Sequence, residues 1–322
     1  MRKGRMRVTY AVVAVTGVAA VATGGVLVSQ GHARTHTVVD TSTSQQISSA
    51  EAQDAEKYWT PQRLASATPV GGPKAAAPTS GPSASPPASP QMGERSVTAQ
   101  SVPKSVAFGG IPTLGAVFFN NGSGNHYCTA SVVHSYSKSL LLTAAHCIHG
   151  GRGGGYAHNV AFVPKFDNGK RPYGVWSAKM LLVDRRWASK SDPDLDYGFI
   201  AVNTRGGRKI EQVVGYNKLA INQGSGKWVN VAGYPSRSNR PIFCKTKTVK
   251  AFKYQLRMDC SGFYGGTSGS PWLLWYNTRS HTGYINGVIG GYQEGGSVSW
   301  RSYSPYFDGD VYNLRKSADS RA

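Results

Sequence analysis

From about Val106 onward, short apolar runs rich in Val, Ile, Leu, Phe and Trp alternate with Gly, Asn and Ser turns. Runs of four to eight such residues between turn clusters predict β-strands. Strands are expected over 114–119, 127–133, 140–143, 160–163, 180–183 and 199–202, then over 228–233, 246–252, 270–275 and 287–292. Only the tail, 310–318, has helical spacing, and no internal repeat is evident. Many short strands at this spacing predict an all-β barrel or sandwich. Residues 106–322 are numerous enough to bury a sizeable core.

Before Val106 the pattern changes. Residues 1–7 carry four positive charges, and 8–28 is a charge-free stretch rich in Val, Ala and Gly, with small residues at Gly31 and Ala33. This reads as a secretory signal over 1–33, cleaved after Ala33. The stretch is longer than the usual apolar core of such signals, so an uncleaved anchor is the rival reading. Residues 34–67 are polar and form a candidate pro-segment. Within them Ser48 and Glu51 stand at capping-box spacing, so a short helix is expected to run to Tyr58. Thr60 and Pro61 start another turn, with Pro at its first position. The Tyr58-Trp59 pair is either a stray patch in a disordered tail or the contact by which a pro-segment docks on the main domain. Over 68–93, 20 of 26 residues are Pro, Ser, Ala or Gly. Such a stretch buries too little apolar surface to offset its ordering entropy and acts as a semi-stiff spacer. Residues 68–105 are therefore linker and lead-in, and 106–322 the main domain.

Composition narrows the class. With 40% hydrophobic residues and no series of long apolar runs, a polytopic membrane protein is excluded. The absence of collagen triplets or sustained heptads excludes fibrous folds. Lys plus Arg minus Asp plus Glu is 36 − 16 = +20 over the chain, and 26 − 11 = +15 from Val106 onward. Such a charge favours acidic partners and says nothing about fold. The four cysteines, Cys128, Cys147, Cys244 and Cys260, follow an export signal and suggest disulfides. Three pairings are possible, and the spacing favours two local bridges. No pair has the spacing of a zinc site, so no metal is expected.

Three short segments carry chemistry. In Gly265-Gly266-Thr267-Ser268-Gly269-Ser270-Pro271 a Ser sits between glycines, where the backbone turns tightly and its N–H groups can converge on one spot. Alone this is an ordinary loop pattern. A nucleophilic Ser needs a base. Of the eight His, His146 differs, because the run 140–143 delivers it, Ala144 and Ala145 leave room beside it, and Cys147 follows. A base is oriented by a buried carboxylate. Asp196 leads straight into the apolar run 199–202, whereas Asp192 and Asp194 lie in a polar turn.

Together, Thr143-Ala144-Ala145-His146-Cys147, Asp196-Tyr197-Gly198-Phe199-Ile200 and Gly266-Thr267-Ser268-Gly269-Ser270-Pro271 resemble the motifs of chymotrypsin-fold serine peptidases. The resemblance covers roughly 111–318. Gly233-Tyr234-Pro235 and the form of the Ser motif are similar to the secreted bacterial branch that includes glutamyl endopeptidases. It implies two antiparallel six-stranded β-barrels with a short C-terminal helix and a site in the cleft between the barrels. It implies a triad of His146, Asp196 and Ser268, and an oxyanion hole from the amides of Gly266 and Ser268. It further implies a bridge between Cys128 and Cys147, which leaves Cys244–Cys260. No cofactor is implied. The expected substrate is a protein or peptide, and the expected enzyme is a secreted, extracellular monomer, with an intramolecular pro-segment as a possible partner. Neither a specific nucleic acid nor, after signal cleavage, a membrane partner is expected.

Two departures from the family matter. Thr267 stands where the digestive members have Asp, so activation by a buried N-terminal ammonium is not expected. Chains starting anywhere from Gly93 to Ser105 should then be equally competent, with Asp259 the acid to examine otherwise. The glutamyl-specific members carry a His in the pocket strand, and 287–292 has none. The pocket is therefore assigned to Gly262, Phe263, Gly290, Gly291 and Tyr292, and favours neutral, apolar side chains. Glu294 is read as solvated. Two rivals are a catalytically dead scaffold and a binder of anionic polymers that uses Arg237, Arg240, Lys245, Lys247, Lys250, Lys253 and Arg257. The bland reading of that run is a solvated basic face.

Overall fold

The computed structural model describes residues 40–70, 101–236, 238 and 240–322. Residues 1–33, expected to be a secretory signal, most of the expected spacer and Arg237 lie outside the described residues. The N-terminal part forms β1 (Ser42–Gln46), α1 (Ser49–Tyr58), α2 (Pro61–Ser66) and β2 (Thr68–Pro69). Both helix starts follow the sequence rules. Ser48 accepts from the Glu51 amide and Glu51 accepts from the Ser48 amide, while Thr60 caps α2 with Pro61 at its first position.

After β3 (Val106–Ala107) come β4 (Leu114–Asn120), β5 (Asn125–Val132), β6 (Leu140–Thr143), β7 (His158–Pro164), β8 (Trp176–Asp184) and β9 (Gly198–Val202). Antiparallel pairing runs β4–β5–β6–β9–β8–β7 and returns to β4, so this barrel is closed. Closure leaves edge positions only on stretches of strands such as β8 and β5, where β1 and β2 pair. The expected strand at 180–183 extends to nine residues, and all of β8 except Lys179 is buried. A strand covered on both faces reads as a continuous apolar run. Its outer cover here includes α1 and the C-terminal helix α5 (Gly309–Arg321), with α3 (Arg185–Lys190) and α4 (Ile210–Val214) between.

The second half holds β10 (Lys218–Leu219), β11 (Trp228–Gly233), β12 (Ile242–Lys247), β13 (Val249–Phe252), β14 (Gln255–Asp259), β15 (Pro271–Asn277), β16 (Thr282–Val288) and β17 (Arg301–Pro305). The strand expected over 246–252 is two strands that part at Thr248. Six antiparallel strands, β11, β12 and β14–β17, surround a core of Trp272, Phe263, Met258, Leu256, Val229 and Val231. They divide between a sheet ordered β10-β16-β15-β11-β12-β3 and a sheet ordered β13-β14-β17. One seam is stapled by Cys244–Cys260 and by the Thr246 hydroxyl, which donates to the Asp259 carbonyl. At the other, the Val288 amide donates to the Ser304 hydroxyl and the Gly290 amide to the Tyr303 carbonyl. The second implied disulfide, Cys128–Cys147, is also formed.

Residues 68–70 and 101–105, read as spacer or lead-in, make backbone contacts with the main domain. Thr68 and Pro69 pair with β5. Val102 is buried, the Ser261 amide donates to the Pro103 carbonyl, and the Ser105 amide donates to the Ser261 carbonyl. A chain that starts at Ser105 loses the first two contacts, so the start points from Gly93 to Ser105 are not equivalent. The reason is physical: backbone carbonyls and amides pair whatever their side chains, and composition does not reveal it. Among the described residues no helix is long and apolar enough to cross a membrane.

Because the disulfide at the first seam closes a loop of 16 residues, replacing both Cys244 and Cys260 by Ser should destabilise the chain by about 3 kcal/mol. Urea denaturation measures this, and an unchanged midpoint would show the seam to be held without it.

Candidate active site

His146 sits in a short 3₁₀ turn, Ala145–Cys147, immediately after β6. Asp196 ends the turn Pro193–Leu195 that leads into β9. Because β6 and β9 pair from Leu140↔Ala201 to Thr143↔Gly198, their ends bring the two residues together. The His146 Nδ1 lies 2.8 Å from Asp196 Oδ2, and the His146 amide donates to Oδ1 at 2.9 Å. Asp196 is fully buried. A third donor comes from the second half of the chain, where the Gly291 amide reaches Oδ2 at 2.8 Å. A carboxylate out of water needs such donors to remain charged.

Ser268 reaches the same place on the loop between β14 and β15. The Thr129 amide donates to the Ser268 carbonyl at 2.8 Å. Gly269 packs so closely that a methyl group there would come within 2.1 Å of the Thr129 carbonyl, 2.3 Å of the Thr143 hydroxyl and 3.0 Å of the Ala144 amide nitrogen. The loop that carries Ser268 thus lies against the end of β6, three residues before His146. The Gly269 amide is tied to Ile289 at 2.7 Å, in the same segment that supplies Gly291. His146 and Asp196 are thus hydrogen-bonded to each other, and the loop that carries Ser268 packs against the strand end that leads to His146. Ser270, two residues further on, is fully buried against Gly233.

Gly266 has φ +88°, and a Cβ there would lie 2.5 Å from the Tyr127 ring and 2.6 Å from the Tyr234 carbonyl oxygen. Only Gly fits. Its carbonyl accepts from the Thr129 hydroxyl at 3.0 Å, and that hydroxyl in turn accepts from the Tyr234 amide at 3.0 Å. Thr267, in the place of the family's Asp, is fully buried and donates to the Tyr264 carbonyl at 2.7 Å. The loop is fastened by neutral hydrogen bonds. Asp259, the reserve acid, is taken up by Arg301 at 2.8 Å and Arg257 at 3.4 Å. Burial pushes the Tyr127 phenol up to about 12.

The residues assigned to the pocket separate. Gly290 and Gly291 serve Asp196: a Cβ on Gly290 would stand 2.8 Å from the Asp196 carbonyl oxygen. Phe263 is buried in the core of the second half. Gly262 is backed by Ser105. Tyr292 is partly exposed and joins Phe252 and Tyr303 in an aromatic cluster. Glu294 is exposed. The basic run also divides. Arg240 pairs with Asp167 and Arg257 with Asp259, while Lys245, Lys247, Lys250 and Lys253 are exposed. Sequence reasoning missed Thr129, Tyr127 and the Gly291 amide. Tyr127 and Thr129 both flank Cys128, a residue already singled out.

The chain matches the trypsin-like peptidase domain over residues 128–277. It is similar to the protease Anisep from Arthrobacter nicotinovorans, at 32% identity and a TM-score of 0.60, over 66% of this chain and 98% of that one. A thermostable serine protease, AL20, from an extremophilic microorganism matches at 31% identity and a TM-score of 0.59, with 66% and 98% covered. A Glu endopeptidase shares the fold at 14% identity and a TM-score of 0.53, over 68% of this chain and 97% of the other. No curated protein sequence matches.

Thr129→Val keeps the shape but leaves the buried Tyr234 amide and Gly266 carbonyl without their partner. A loss of about 1–3 kcal/mol is expected for such groups, measured by thermal or urea unfolding. A neutral substitution would mean that the loop is held elsewhere.

Proposed function

Because the chain belongs to the family of trypsin-like serine peptidases, we propose that it is a secreted endopeptidase working through Ser268, His146 and Asp196 and an acyl-enzyme. The observation that carries this reading is the buried Asp196 carboxylate, bonded to both the ring and the amide of His146. In this mechanism Ser268 Oγ attacks the scissile carbonyl and passes its proton to His146 Nε2. The carboxylate holds the imidazole with its proton on Nδ1 and stabilises the imidazolium. The amides of Gly266 and Ser268 hold the oxyanion as it forms. His146 then protonates the leaving amine, and water, deprotonated by the same imidazole, releases the acyl group. The reaction needs no metal or organic cofactor, and one chain supplies every named group.

Export is supported by the basic start and apolar stretch of 1–33 and by the two formed disulfides, which persist in oxidising compartments. Preference for neutral, apolar side chains at the scissile residue is supported by Gly262, which stands where an acid would select Lys or Arg, and by the lack of a His in 287–292.

Turnover of a denatured protein tests the mechanism. Ser268→Ala should lower it by about 10⁶-fold with folding intact, and a fluorophosphonate should label one peptide, the one containing Ser268. Retention of more than a few per cent of activity would move the nucleophile elsewhere. Sequencing the new termini tests the pocket. Cuts mainly after apolar residues are expected, and cuts mainly after Glu, or after Lys and Arg, would refute a neutral pocket.

A further inference from the structure

The N-terminal segment ends at the nucleophile loop. Thr68 and Pro69 pair in parallel with His126 and Tyr127, the Thr68 hydroxyl donates to the Asn125 carbonyl, and the Val70 amide donates to the Tyr127 carbonyl at 3.2 Å. The Val70 carbonyl then accepts from the Gly266 amide at 3.3 Å. In the mechanism proposed above, that amide holds the oxyanion. A donor already bonded to an internal carbonyl has no second N–H to give to a substrate. We propose that residues 40–70 are an intramolecular inhibitor, seated as an added strand on β5 with the Val70 carbonyl capping the Gly266 amide. The proposal rests on the peptidase reading of the same site.

Two differently held halves make up the segment. Residues 42–59 are an anchor. All five residues of β1 pair with β8, adding a strand to the first barrel. The Trp59 side chain is 1% exposed, packs 5.4 Å from the Phe118 ring and donates from its indole to the Asn159 carbonyl. Tyr58 donates to Asn125 at 2.8 Å, and the Ser177 hydroxyl donates to Glu56 at 2.9 Å. Residues 60–70 are an arm. A cavity of about 340 Å³ lies beneath it, between Leu64 and Pro69 on the arm and Phe118, Tyr127, Phe166 and Tyr234 on the barrel side. The cavity is open to solvent on one side, and the arm buries only Leu64 whereas the anchor buries Ala52, Ala55 and Trp59, so the arm is the more weakly seated part. Moving the arm frees Gly266 without undoing the anchor. Cutting the chain after Val70 would not suffice, because the anchor keeps the arm beside the cleft at high effective concentration.

The test uses the full chain. Val70→Pro removes the amide bonded to Tyr127 and disfavours the paired strand, while Trp59→Ala weakens the anchor. Neither residue belongs to the catalytic machinery. Fluorophosphonate labelling of Ser268 and turnover of a short neutral peptide should both rise at least tenfold in Val70→Pro, and also in Trp59→Ala. A second readout needs no catalysis. In the Ser268→Ala background, the Gly266 amide should exchange with solvent deuterium at least tenfold faster once Val70→Pro is added. Equal exchange with and without Val70→Pro overturns the inhibitor, and so does a parent chain that labels as fast as the variants. Accelerated exchange without labelling in any form would instead refute the assignment of Ser268 as nucleophile, while the capping contact stands. The two proposals therefore fail by different results.

Discussion

Asp196 carries a carboxylate with no exposure to solvent, and three N–H groups converge on it, from the His146 ring, the His146 backbone and the Gly291 backbone. An unpaired charge at such depth would cost several kcal/mol. The site can exist only where all three donors arrive together, and two of them come from the turn after β6 while the third comes from the segment after β16. The carboxylate thus fixes the relation between the two halves of the catalytic body. It orients the imidazole, and it draws the segment 289–291 to the position where Ile289 can receive the Gly269 amide. The loop that carries Ser268 is therefore registered against His146 through Asp196.

The rest of the site follows from close approach. Ser268 is delivered by a loop that touches β5 and the end of β6 through glycines, with a single hydroxyl, Thr129, serving both the Gly266 carbonyl and the Tyr234 amide. With Thr267 bonded to Tyr264, no charged group is needed to hold the oxyanion loop. In an enzyme of this construction control cannot come from pairing a new terminus with an acid at position 267. The segment that reaches Gly266 through Val70 offers control of another kind, by occupation of a donor that is already in place.

Much of this was legible in the sequence because it depends on local patterns. His146 after an apolar strand, Asp196 before one and Ser268 between glycines are positions where residue type and strand period coincide. The caps at Ser48 and Thr60 were equally legible, since capping is decided within four residues. The pocket was not. Gly290 and Gly291 read as open wall, but a glycine gives the same signal when it yields room to a neighbour, and here the neighbour is Asp196. Phe263 read as pocket and is core, because its burial depends on Trp272, Met258 and other residues remote in sequence. The contact at Gly266 was also invisible, being made by the backbone of Val70 inside a composition that reads as spacer.

The dependence on Asp196 can be measured directly by proton NMR on the full chain with ¹⁵N-labelled histidine. The proton on His146 Nδ1, held between nitrogen and a buried carboxylate, should appear as a far-downfield, slowly exchanging resonance coupled to a histidine nitrogen. It should vanish in Asp196→Asn while the dispersion of the remaining spectrum persists. Absence of that resonance from the parent chain, or its survival in Asp196→Asn, would contradict the role given to the carboxylate.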